Sequence, residues 1–165
     1  MTGSAYFMVN QQLARLLGET YRSSEVALKE LVDNAWDADA RNVWISLSEP
    51  LSKNPLTIKD DGRGMTEEAV RAEYLNIASY KRKRTGELSP NFKRKIKGRK
   101  GIGKFAGLAV AQVMTIETTV NGMTSKLMID KKKIADTDRD IEKIPLDFEV
   151  KAANGQGDGT LIELS

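Results

Sequence analysis

At 165 residues the chain is long enough for one domain with a real core, and 40 % hydrophobic with 30 % charged residues is an ordinary globular balance. Zero cysteine excludes disulfides, thiolate nucleophiles and zinc–thiolate sites, and zero histidine excludes Ser-His-Asp triads, histidine metal sites and a phosphorylated histidine. Net charge is only +3 but unevenly placed: from Lys81 to Lys104 there are eleven Lys or Arg and one acid, Glu87, which points to a phosphate-rich partner, nucleotide or nucleic acid. Whatever chemistry occurs must use carboxylates, amides, backbone N–H groups, Lys or Arg. No apolar run nears the ~20 residues of a membrane helix and no signal-peptide pattern opens the chain, so a cytoplasmic location is expected.

In chain order, the pattern predicts a short strand at Ala5–Val9 and a helix at Gln11–Leu17. A central helix follows from about Ser24 to Ala40, with Ser23 or Ser24 as N-cap. Its apolar stripe is Leu28, Leu31, Val32 and Ala35; Glu30, Asp33, Asn34 and Asp37 fall opposite. Lys29–Asp33 and Asp37–Arg41 have the spacing of ordinary i,i+4 ion pairs. Glu30 and Asn34 lie one turn apart, so a proton-accepting carboxylate neighbours a carboxamide able to ligate a hard cation. Such a pair suits metal-assisted hydrolysis.

Val43–Leu47 and Leu56–Lys59 read as strands, the second stopped by the turn Asp60-Asp61-Gly62-Arg63-Gly64. A carboxylate at that strand end can accept from an exocyclic amine, and glycines beside it let a flat base approach; an acidic surface turn is the plainer reading. Thr66 caps a helix expected to reach about Ile77, with Glu67 and Glu68 at its positive end. No convincing element is visible from Ala78 to Gly103, a length usual in a functional lid. A helical pattern resumes at Lys104–Ala111. Val113–Val120 and Met123–Ile129 form a hairpin across Asn121-Gly122, a basic helical turn follows near Lys131–Ala135, and Phe148–Ala152 and Thr160–Leu164 complete the strands. The irregular alternation favours α+β over a βαβ series.

Gly98-Arg99-Lys100-Gly101-Ile102-Gly103-Lys104-Phe105-Ala106 matches two familiar motifs only in part. As a P-loop it has Phe105 where a Mg²⁺-binding hydroxyl belongs, and as a dinucleotide fingerprint it lacks the preceding strand. Closely spaced glycines opening a helix can instead converge their N–H groups on an anion, with Lys104 adding a point charge.

The segment Glu30-Leu31-Val32-Asp33-Asn34-Ala35-Trp36-Asp37-Ala38, then Asp60-x-Gly-x-Gly-Met65, then Gly98-x-x-Gly-x-Gly103, then Gly159-Thr160-Leu161-Ile162 closely resembles, in order and spacing, the four boxes of the GHKL ATPases. That superfamily holds gyrase B subunits, the ninety-kilodalton heat-shock chaperone, histidine kinases, MutL-type repair proteins and MORC proteins. The resemblance implies the Bergerat fold: a two-layer α/β sandwich with a mixed sheet, helices on one face, and a lid at about 78–103 that closes over ATP. It implies Glu30 as general base, Asn34 as Mg²⁺ ligand, and Asp60 as acceptor of the adenine amine, assisted by Thr160 through a water. Gly62, Gly64 and Met65 would shape the base pocket; Gly101, Ile102, Gly103, Lys104 and Phe105 would surround the phosphates, with Asp37 also on the nucleotide side. Glu30 with Asp37-Ala38 looks like the hydrolysing branch (chaperone, MutL, MORC, gyrase). Those members add a Lys or Arg from a second domain, so the expectation is a single N-terminal module of a longer protein, with Mg²⁺-dependent ATP binding, feeble hydrolysis and an ATP-dependent homodimer or partner switch. A non-hydrolysing regulatory or kinase-type domain, and a nucleic-acid binder using residues 81–104, are the alternatives; a protein client is compatible with any of these.

Overall fold

The computed structural model describes residues 2–7, 23–76, 86–98, 103–135 and 143–165. Seven strands form one sheet: β1 (Thr2–Ala5), β2 (Val43–Ser46), β3 (Leu56–Asp60), β4 (Val113–Val120), β5 (Met123–Asp130), β6 (Leu146–Ala152) and β7 (Gly159–Leu164). Their order is β1-β6-β5-β4-β7-β3-β2. The expected two-layer α+β architecture is present, but the sheet is antiparallel at every described pairing rather than mixed. The reason is local: β4 and β5 are joined by a tight turn with positive φ at Asn121 (53°) and Gly122 (74°), and β7 then runs antiparallel to both β3 and β4.

Register converts the alternation of these strands into rows across the sheet. Ile45, Ile58, Ile162, Ile116, Leu127 and Phe148 face one another strand by strand, an apolar row whose members from Ile58 to Phe148 are buried. One step towards the end of β3 the row turns polar: Asp60 opposes Thr160, Thr160 opposes Thr118, and Thr118 opposes Ser125. The site is built at that polar end.

Helix α1 (Ser24–Asp37) starts on the Ser23 side chain, which accepts the Val26 N–H. It stops three residues before the expected Ala40, because Asp39 takes a left-handed conformation (φ 61°). Asp39 N–H then bonds Trp36 O and Ala40 N–H bonds Ala35 O, the paired closure that uses up a helix's last carbonyls. After Thr66, which accepts the Ala69 N–H, the turn α2 (Glu67–Ala69) widens into a π-helical turn at Val70–Tyr74, with Leu75 N–H on Val70 O. A 3₁₀ helix at Gly103–Ala109 and the short α3 (Lys131–Ala135) complete the elements of the described residues. The expected first strand shifts to Thr2–Ala5, leaving Phe7 in the core; Val9, the helix at Gln11–Leu17 and Ile77 lie outside the described residues. No described helix is long and apolar enough to cross a membrane.

The core joins α1, the π-helical turn and the 3₁₀ helix to the sheet. Phe105 sits edge-on to Phe7 and Tyr74, with centroids 5.6 and 5.4 Å away. Gly107 is where the 3₁₀ helix meets the sheet; a Cβ there would run into the side chains of Leu164 and Met114.

Candidate functional site

Helix α1 presents three faces with three tasks. Ala27, Leu31 and Ala35, spaced four apart, are buried in the core. Glu30, Asn34 and Ala38, also spaced four apart, make a second stripe. At its first end a Cβ on Gly103 would displace the Glu30 carboxylate. At its far end a Cβ on Gly62 would stand 2.9 Å from Ala38 O and 2.9 Å from Asp60 Oδ1, and Arg63 N–H donates to Ala38 O at 3.0 Å. Eight residues at 1.5 Å each separate the two ends by about 12 Å along the helix. Sequence spacing showed Glu30 beside Asn34; the fold adds that the same stripe ends on the Asp60 turn.

Asp60 ends β3 with its carboxylate buried, receiving N–H bonds from Gly62 (2.8 Å) and Thr160. Burial outweighs those bonds and, with the charge of Asp61 nearby, pushes the carboxyl up to about 6. Its neighbour divides the labour. Asp61 is exposed and accepts from Arg41 N–H (2.7 Å), Asn42 N–H (2.8 Å) and the Asn42 amide (2.7 Å), which hold it below its ordinary value while fixing the approach to β2. Gly64 adopts φ 60° against the Thr119 carbonyl, a position any Cβ would overlap. Met65 N–H donates to the buried Thr118 hydroxyl at 2.9 Å; that hydroxyl also lies 3.2 Å from Thr160 Oγ1 and 3.3 Å from Gly159 O. Thr118, a strand threonine with no motif around it, thus ties the glycine turn to β7. Sequence reading passed over it, since only its register opposite Thr160 reveals it.

The third face of α1 holds the stretch 86–98. Asp39 accepts Ser89 Oγ (2.5 Å), Asn91 N–H (2.8 Å) and Phe92 N–H (3.1 Å). Asp37 accepts Lys97 N–H (2.8 Å) and Gly98 N–H (3.0 Å); Asp33 pairs with Lys29 (2.5 Å) and Lys97 (2.9 Å); Trp36 Nε1 donates to Lys95 O (3.2 Å). The Arg94 guanidinium donates to Ala40 O and lies between the Trp36 and Phe92 rings, 4.5 and 4.7 Å from their centroids. Of the expected lid, residues 86–98 form a small loop closed by a Leu88–Lys95 bridge and docked on α1, while residues 78–85 and 99–102 lie outside the described residues. The Asp37 side chain serves that loop, and the Arg41 guanidinium, expected to pair with it, sits 5.1 Å over the Phe92 ring. Lys104 Nζ, read from the sequence as a point charge for an anion, donates to Glu73 O and Asn76 O, both at 2.8 Å, and the Phe105 side chain lies in the core. Gly101 and Ile102 lie outside the described residues.

Three proteins resemble the chain over parts of their length. It is 32 % identical over 105 residues to the putative type II restriction enzyme HgiDII of Herpetosiphon aurantiacus, covering 64 % of this chain and 16 % of that protein. Against the chaperone protein HtpG of Pseudoalteromonas translucida (strain TAC 125) it is 28 % identical over 138 residues, 71 % of this chain and 21 % of the relative. Against the DNA mismatch repair protein MutL of Bacteroides fragilis (strain YCH46) the figures are 32 % over 96 residues, 58 % and 15 %. The chain thus spans no more than about a fifth of these three relatives. A family model matches residues 21–160, a span that takes in α1, the Asp60 turn, Gly103 and the start of β7. On that match the chain belongs to the histidine kinase-, DNA gyrase B- and HSP90-like ATPases.

Proposed function

We propose that the chain binds ATP with Mg²⁺ and hydrolyses it slowly, closing on nucleotide as a conformational or dimerisation switch. One observation carries this reading: the stripe Glu30–Asn34–Ala38 runs without interruption from Gly103 to the Asp60–Gly62 turn. It offers a site for a phosphate chain at one end and for a base at the other. Asp60 accepts the adenine amine, and Gly62 lets the flat base lie against backbone.

Among the described residues no group of three or more acidic side chains forms a cation cage. A lone Asn34 carboxamide oxygen therefore suits an ion that draws its other ligands from phosphate oxygens and water, which is the habit of Mg²⁺. When bound, that ion neutralises phosphate charge. Glu30, beside the Gly103 backbone, orients a water towards the terminal phosphate and takes its proton as the oxygen–phosphorus bond forms and ADP leaves. Slow turnover is in keeping with three cations of the described residues being held elsewhere: Lys104 on the Glu73 and Asn76 carbonyls, Lys97 on Asp33, and Arg94 on Ala40 O and two rings. A cation on the transferring group is worth roughly 10³–10⁵ in rate.

Calorimetric titration tests this with ATP and a non-hydrolysable analogue, with and without Mg²⁺. Wild type should bind in a Mg²⁺-dependent way, and Asp60→Asn should abolish binding. Glu30→Ala should stop phosphate release while sparing affinity; undiminished turnover in that variant assigns the proton to another group. No wild-type binding at millimolar nucleotide overturns the reading.

A second reading draws on the 86–98 loop, where Asp33, Asp37 and Asp39 are buried beneath exposed Lys93, Lys95 and Lys97. This outward basic surface suits a nucleic-acid backbone, and one of the relatives is named a DNA mismatch repair protein. A DNA affinity falling steeply with salt would support it, and salt-independent or absent binding would dismiss it.

A further inference from the structure

We infer that Thr118 is a positioning residue that sets base specificity, making the Asp60 site select a purine with an exocyclic amine over one with a carbonyl in that place; this deepens the proposed function and rests on it. Thr118 lies on β4, the central strand of the seven, and is only 1 % exposed. It stands opposite Thr160, which in turn stands opposite Asp60. Its hydroxyl meets three groups: Met65 N–H at 2.9 Å, Thr160 Oγ1 at 3.2 Å and Gly159 O at 3.3 Å.

A threonine hydroxyl has one proton and two lone pairs. The Met65 amide can only donate, and the Gly159 carbonyl can only accept. One arrangement serves all three neighbours: Thr118 gives its proton to Gly159 O and takes the Met65 N–H and the Thr160 O–H on its lone pairs. Thr160, half-buried, then spends its proton inward and turns only lone pairs towards the site. Beside it, a carboxylate can accept about four bonds, so Asp60 keeps acceptor capacity after receiving the N–H groups of Gly62 and Thr160. Side chains directly opposite on one face of a sheet stand about 4.5–5.5 Å apart at Cβ, close enough to act on one group of a ligand. The pair therefore offers acceptors alone. An exocyclic amine, as in adenine, supplies it with two N–H donors, whereas a carbonyl oxygen in the same place, as in hypoxanthine, meets lone pairs. Without the Thr118 hydroxyl the Thr160 proton is free to turn outward and satisfy that carbonyl. Thr118 thus acts through Thr160 and touches no ligand itself.

The test titrates adenosine and inosine at pH 8, above the Asp60 value of about 6, with thermal melts on each protein. The proteins are wild type, Thr118→Val, Thr118→Ser, Thr160→Val and the double variant with valine at both positions. Wild type should prefer adenosine. Thr118→Val should narrow that preference about two- to tenfold, the worth of one hydrogen bond, and Thr118→Ser, which keeps the hydroxyl, should retain it. With Thr160 already replaced, the Thr118 change should leave the preference where it was. A merely structural loss would weaken both nucleosides alike. An unchanged preference in folded Thr118→Val, a narrowing that Thr118→Ser shares, or an equal narrowing with Thr160 absent overturns the inference. If Thr118→Val melts below the assay temperature, Thr118→Ala decides by the same ratio. Unfolding of both also overturns it, because Thr118 would then support the whole sheet. Wild type that binds neither nucleoside, or both alike, would refute the proposed function itself and the inference with it.

Discussion

Asp60 is buried with the N–H groups of Gly62 and Thr160 for partners, and burial raises its carboxyl to about 6. In the unfolded chain the same group titrates near 3.9. Between these values the folded state holds more protons, so stability falls as pH rises from about 4 to about 6 and stays at the lower level above. A shift of this size corresponds to about 3 kcal/mol. Asp60→Asn retains an oxygen for the Gly62 N–H and has no charge to bury. It should melt higher than wild type at pH 8 by several degrees, at about 2–4 °C per kcal/mol, with the difference shrinking towards pH 4. Melting curves across that range check this; an Asn variant less stable than wild type at pH 8 would show that the charge is compensated within the fold. On the proposed function the same variant should lose nucleotide, so stability and binding should move in opposite directions.

The 86–98 loop and the end of α1 act as one unit whose centre is Asp39. Burial pushes its carboxyl up, but the Ser89 hydroxyl, the Asn91 and Phe92 N–H groups and the Arg94 charge outweigh this and hold it below its ordinary value. Its stabilising contribution is therefore present above about pH 4 and lost as pH falls through the depressed folded pKa. Asp39→Ala should cost roughly 1.5–3 kcal/mol and quicken tryptic cleavage at Lys93, Arg94 and Lys95; an unchanged digestion rate would mean that Trp36 and Asp37 suffice to hold the loop. This docking also marks where sequence reading stops. The Ser23 and Thr66 caps and the Asn121-Gly122 hairpin were legible, because each depends on residues a few positions apart. The order of the four motifs pointed to the family for a similar reason. Asp39 meets Asn91 across fifty-two positions, Trp36 meets Lys95 across fifty-nine, and Lys104 reaches back to Glu73. Side-chain bonds to distant backbone leave no periodic trace, so a docked loop reads as a featureless basic one. The π-helical turn escapes for another reason, as five residues of i→i+5 bonding scarcely alter the apolar spacing.

Across the whole molecule, the sheet and α1 meet through the 3₁₀ helix that begins at Gly103. One end of this short element touches Glu30, its middle inserts Phe105 between Phe7 and Tyr74, and Gly107 lies on the sheet at Leu164 and Met114. The end of the site proposed to take phosphate is thus held at a height above the sheet set by a glycine deep in the core. Gly107→Ala forces a methyl group into the Leu164 side chain and close to the Met114 sulfur, and close-packed interiors absorb such additions only by moving. Overpacking of this kind costs about 1–3 kcal/mol, which lowers the melting temperature by several degrees in a domain of this size. The 3₁₀ helix should lift as it relaxes, carrying Gly103 away from Glu30, so ATP turnover should fall although the substitution is remote from either residue. The base end, fixed through β3, β7 and Thr118, should keep its adenosine affinity. Melting, turnover and adenosine titration on the one variant separate the outcomes. A lower melting temperature with unchanged turnover would show that Leu164 yields instead of the helix, and a matching fall in adenosine affinity would show that the two layers move as a block.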